Sequence, residues 1–93
     1  MNYQKELLDI IHKYIPDCTV YLFGSRARKR NHIGSDIDLA IDAKQVLDIG
    51  LIGLIKEECE ESAIPFFVDI VDLNFVDKRM REEILRDGVL WTN

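Results

Sequence analysis

Apolar positions recur along this chain at two spacings, and each switch between them marks an element. Tyr3, Leu7, Ile10, Ile11 and Tyr14 repeat at helical spacing and Pro16 ends the pattern, which predicts a helix over residues 3–15. Cys18 to Phe23 (C-T-V-Y-L-F) is short, β-branched and aromatic, lies between Pro16 and Gly24, and predicts a buried strand. A basic segment, Ser25 to Arg30, follows and predicts a brief helix. Asp36 to Asp42 (D-I-D-L-A-I-D) alternates at period two, with Ile37, Leu39 and Ile41 on one side and Asp36, Asp38, Ala40 and Asp42 on the other. Helical spacing returns over residues 44–62 through Leu47, Leu51, Leu54 and Ile55, with Gly50 and Gly53 read as close-packing positions against a sheet. After Pro65 comes a third strand, Phe66 to Leu73. Asn74 or Asp77 then caps a last helix, Lys78 to Arg86, which Gly88 closes ahead of an apolar Val89-Leu90-Trp91 that offers a final short strand. The order is a small α/β layer in which helices cover one face of a sheet.

Ninety-three residues without repeat, linker or low-complexity tract make one domain, residues 1–93, with a modest core. Twelve Lys and Arg against seventeen Asp and Glu give a formal charge of −5, which argues against sequence-independent binding of nucleic acid. The longest apolar stretch, Val46 to Ile55, holds Asp48 and two glycines and is about half of what crosses a bilayer. The first residues carry acid early and lack the apolar core of a secretory signal, so a cytoplasmic location away from membranes is expected. Cys18 and Cys59 stand far apart in no metal-type spacing and are expected as reduced, partly buried thiols. His12, on the polar side of the first helix, and His32, in a loop, lack the second histidine or cysteine that zinc requires.

Polar side chains on one face of a strand ordinarily meet solvent, but Asp36 and Asp38 are crowded. Neighbours two apart on a strand sit roughly 6.6 Å apart at Cα. Two carboxylates about 5 Å apart repel by roughly 3 kcal/mol at an effective dielectric of about 20. A divalent cation removes that cost, and Mg²⁺ takes hard oxygen ligands, borrowing others from a nucleotide's phosphates. The strand Phe66 to Leu73 supplies a third acid, since a charge among apolar neighbours needs a partner. Asp69 and Asp72 are an odd number apart and face opposite sides, so one of them can join Asp36 and Asp38. Periodicity does not choose; Asp72, nearer the strand end, is the easier to leave in solvent.

Phe23-Gly24-Ser25 ends a strand, turns tightly and opens the basic segment. Gly24 lets backbone approach a ligand, and N–H groups there can hold an anion; Ser25 serves also as a helix cap. Arg26, Arg28, Lys29 and Arg30 are four of the twelve basic residues and offer counter-charge to a triphosphate, although a solvated face suits Lys29 and Arg30 better.

Gly24-Ser25, ten intervening residues, Asp36-Ile37-Asp38 and a third acid in Val68-Asp69-Ile70 together resemble the nucleotidyltransferase superfamily that includes DNA polymerase β, and within it the minimal nucleotidyltransferases. The resemblance runs from about residue 3 to the C-terminus. It implies the nucleotidyltransferase fold, a small mixed sheet with helices on one face. It also implies roles: Asp36 and Asp38 as ligands of two Mg²⁺ ions, and Asp69, preferred over Asp72, as ligand of the catalytic ion beside the acceptor hydroxyl. Gly24 and Ser25 would contact the triphosphate, Arg28 would hold a phosphate, and Ser35 would precede the first metal acid. One departure is Lys29, where many members carry glycine, which bears on the turn after the short helix.

The implied chemistry is in-line transfer of a nucleotidyl group from ATP, with loss of pyrophosphate. Larger relatives carry a second domain for the acceptor, so a minimal transferase is expected to borrow its acceptor from a partner. By resemblance that partner is a helical HEPN ribonuclease, a toxin whose tyrosine receives AMP while this chain acts as antitoxin. The rival reading is a catalytically idle fold that neutralises its partner by covering it, using the apolar faces of residues 44–55 and 84–91. A nucleotide sensor that binds ATP without turnover is a third reading.

Overall fold

The computed structural model describes residues 2–24 and 36–92. Its elements run α1 (Tyr3–Tyr14), β1 (Thr19–Phe23), β2 (Ile37–Asp42), α2 (Ile49–Glu61), β3 (Val68–Asp72), α3 (Lys78–Asp87) and β4 (Val89–Trp91). The basic segment expected as a brief helix, and His32 after it, lie outside the described residues. Each helix opens on a side chain that satisfies a first-turn N–H: Asn2 accepts from Lys5, Asp48 from Gly50 and Asp77 from Met80. Of the two caps considered for the last helix, the chain uses Asp77.

The four strands form one mixed sheet in the order β3-β2-β1-β4. β1 runs antiparallel to β2 and β4, while β2 and β3 are parallel and joined through α2. A parallel pair needs a crossover, and the helical stretch after β2 supplies it. The alternation read in β2 holds: Ile37, Leu39 and Ile41 are buried in the main core with Val20, Val68 and Ile70. Against that face pack Leu7, Leu8, Ile10 and Ile11 of α1 and Ile52, Ile55 and Cys59 of α2. Lys13 and Tyr14 of α1 both reach Glu58 of α2, closing the seam between the two helices.

Three local expectations are corrected. Helices do not keep to one face: α3 places Ile84 with Ala40 and Leu73 on the opposite side, among Tyr21, Phe23 and Val71. The reason is the aromatic β1, whose Tyr21 and Phe23 make a second apolar surface that needs cover. The helix expected from residue 44 begins at Ile49, because Lys44 adopts a left-handed φ of 63° and residues 43–47 are tied down as a turn. Gly50 and Gly53 are not packing positions, since both are exposed and a Cβ at Gly53 would meet nothing within 4 Å. Ile52, Ile55 and Cys59 take the inward positions instead, and Leu54 is half exposed.

Candidate active site

β2 and β3 settle the facing of the acids through their register. Asp38 pairs with Asp69, and Ile41 pairs with Asp72. Parallel neighbours at one level point their side chains to the same side, so Asp69 shares the face of Asp38 while Asp72 turns to the other. Asp36 precedes β2 and is exposed, in step with Asp38 along the alternation.

The Asp38 carboxyl is held above its ordinary range first by burial and then by the negative charges of Asp69 and Asp36. Phe23 lies across from Asp38 in the antiparallel register. Gly24, with φ +78°, brings its backbone so close that a Cβ there would lie 2.5 Å from Asp38 Oδ2. Only glycine combines that dihedral with that approach. α3 covers Ala40, one step further along the same face, and leaves the Asp38–Asp69 end open. Asp69 makes an ion pair with Lys56 of α2, Oδ1 to Nζ 3.3 Å, and its side chain stays 42% exposed.

Asp72 is not in solvent, contrary to the expectation from its place near the strand end. It is 8% exposed, and its carboxylate accepts from Leu47 N at 2.7 Å and Asn74 N at 2.9 Å. Burial would raise the neighbouring Asp42 carboxyl, but hydrogen bonds from Asn74 Nδ2 and Lys44 outweigh it and hold Asp42 below its ordinary range. Arg81 extends this network by donating to Asn74 Oδ1 at 3.1 Å and Leu73 O at 3.2 Å. The sequence reading gave Asp42 and Asp72 no structural task; the one signal was an acid at the end of each of two apolar strands. His12, expected as a surface residue, is half-buried with Nε2 3.3 Å from Cys18 O.

Of the residues expected to meet the triphosphate, Gly24 is beside Asp38, while Ser25, Arg28 and Ser35 lie outside the described residues. Among the described residues, no three His, Cys, Asp or Glu side chains form a ready-made metal cage. Mg²⁺ does not require one, because it keeps waters and binds through one or two carboxylates plus substrate phosphates. The two hard, same-level carboxylates of Asp38 and Asp69, with Asp36 close enough to perturb Asp38, fit that ion's chemistry. No helix among the described residues is long and apolar enough to cross a membrane.

Comparison with known proteins is consistent with this geometry. The chain is 37% identical over 75 residues to the "Probable protein adenylyltransferase MntA" of Haemophilus influenzae, a match covering 81% of this chain and 66%, just under two thirds, of that relative. It superposes with a TM-score of 0.84 and 26% identity on a crystal structure of a toxin–antitoxin with AMP-PNP, over all of this chain and 74% of the other. A complex of a tri-AMPylated Shewanella oneidensis HEPN toxin with an MNT antitoxin gives a TM-score of 0.76 at 23% identity, over 97% and 69%, and shares the fold. Residues 5–92 match the family described as polymerase beta, nucleotidyltransferase, and the chain belongs to that family.

Proposed function

We propose that this chain is the antitoxin of a toxin–antitoxin pair, an Mg²⁺-dependent enzyme that transfers AMP from ATP to a tyrosine of a partner HEPN ribonuclease. The observation that carries the reading is the level placement of Asp38 and Asp69 across two parallel strands, beside the positive-φ turn at Gly24. The relatives named above, a protein adenylyltransferase and antitoxins in complex with their toxins, support the choice of acceptor.

Asp36, Asp38 and Asp69 would hold two Mg²⁺ ions, which neutralise charge on the triphosphate and lower the pKa of the acceptor hydroxyl. Gly24 and Ser25 would offer backbone N–H groups to the β- and γ-phosphates, with Arg28 adding charge and Ser35 positioning the first acid. Asp69 would orient the tyrosine hydroxyl and take its proton as the oxygen attacks the α-phosphorus. The bond from that phosphorus to the bridging oxygen of the β-phosphate breaks, and pyrophosphate departs. Incubation with labelled ATP, Mg²⁺ and the HEPN protein encoded beside it should label that partner and silence its RNA cleavage. An unlabelled partner would refute the transfer.

The covering reading has its own support. Val46, Ile49, Phe67, Phe75, Val89 and Leu90 are all exposed large hydrophobics that a covering partner would bury. Asp36→Ala with Asp38→Ala separates the two: neutralisation lost means catalysis, neutralisation kept means coverage.

A further inference from the structure

Among the described residues, Lys56 pairs with one of the acids, and neither the family resemblance nor the chemistry above uses it. It sits on α2 between Ile52 and Cys59, residues that pack on the face of the sheet opposite Asp69. Among the described residues, β3 is the edge strand of the sheet beyond β2. The lysine stem passes that open edge, lining an apolar groove of about 290 Å³ with Ile49, Ile70 and Phe75, and brings its ammonium to Asp69 Oδ1 at 3.3 Å. Asp69 thus has a carboxylate on one side, Asp38, and a cation on the other.

We infer that Lys56 is a tethered counter-ion of the acidic site: it holds Asp69 in place while no metal is bound, and it weakens the binding of metal alone so that occupancy waits for the triphosphate. The inference rests on the metal-site reading above. Two like charges at one level of a sheet destabilise the pairing, and a fixed ammonium offsets part of that repulsion. The same ammonium repels an arriving dication, or must be displaced by it. In either case the metal-free site gains and the metal-loaded site loses. The negative charge of a bound triphosphate restores the balance, so metal and nucleotide bind cooperatively.

The experiment measures Mn²⁺ binding to the full chain without nucleotide, by electron paramagnetic resonance, at low salt. Lys56→Met keeps the stem and its groove contacts but loses the charge; Lys56→Arg keeps the charge. Lys56→Met should bind Mn²⁺ about three- to tenfold more tightly, with a lower metal-free melting temperature, and Lys56→Arg should stay near the parent. The gain should shrink as salt rises, because exposed charges are screened. Unchanged or weaker binding by Lys56→Met, with parent binding that Asp38→Asn abolishes, overturns this inference and leaves the metal site standing. No Mn²⁺ uptake by either the parent or Lys56→Met, even with a non-hydrolysable ATP analogue present, overturns both.

Discussion

Four aspartates on two neighbouring strands have opposite employments: Asp38 and Asp69 lie level at one end, while Asp42 and Asp72, at the other end of the same strands, hold the segment that follows β2. Asp72 is buried and bonded to two backbone N–H groups, whereas Asp69 is part-exposed beside Asp38. Asp72→Ala should therefore lower stability by about 2–4 kcal/mol in urea unfolding, since charged hydrogen bonds are lost and buried donors are left unpaired. Asp69→Asn should leave stability level or raise it while cutting transfer activity at least about 100-fold. Asp38 adds a pH signature. Burial, then Asp69 and Asp36, raise its carboxyl above 3.8. The native state then holds a proton that the unfolded chain releases, so this group's contribution to stability falls as pH climbs from there through its raised value. Asp38→Asn removes that fall, and its stability relative to the parent should grow between acid and neutral pH. Asp42, held low, has the reverse sign: its contribution is full above the ordinary carboxylate value and is lost as pH drops through its lowered one.

Among the described elements, α3 and β4 meet at a tight junction. Gly88 N donates to Ile84 O at 2.7 Å, and a Cβ on Gly88 would collide with that same carbonyl and approach Leu22 O. Its φ of −73° suits any residue, so the constraint is one of space. Gly88→Ala should cost about 1–3 kcal/mol. Hydrogen exchange should show β4 amides opening before those of β2, because the short edge strand depends on this turn to reach β1. Most element types and ends are legible in the sequence, since capping residues, Pro16 and period-two runs are local signals. The late start of α2 is not. Residues 43–47 are held by carboxylates of Asp42 and Asp72, bonds made across the fold from positions a helical pattern cannot see.

Across the molecule the two thiols report on the core. Burial pushes Cys18 and Cys59 each up to about 11, and both are free. A thiol reagent at pH 8 should find neither in the native chain and both in denaturant, because the reactive thiolate is scarce and shielded. A fast native reaction would mean that α1 and α2 part readily from the sheet. At this scale the exposed apolar residues stand out. They lie before and along α2, on either side of β3, on α3 and along β4, rather than across α1, whose four aliphatic residues are buried. A partner that covers them would approach the open edges of the sheet, one of which borders the Asp69 side chain.

Taken alone, the order of residues determined the α/β alternation, the strand that carries Asp38 and begins just after Asp36, the glycine turn ahead of it and the free thiols. These depend on periodicity and on side-chain chemistry, which are properties of short segments. The facing of Asp69 toward Asp38, the burial of Asp72, the helix on the second face and the lysine at the sheet's edge were decided by tertiary structure. Each depends on the register between β2 and β3 or on which surface was left to cover, and register is a relation between segments that no single segment contains.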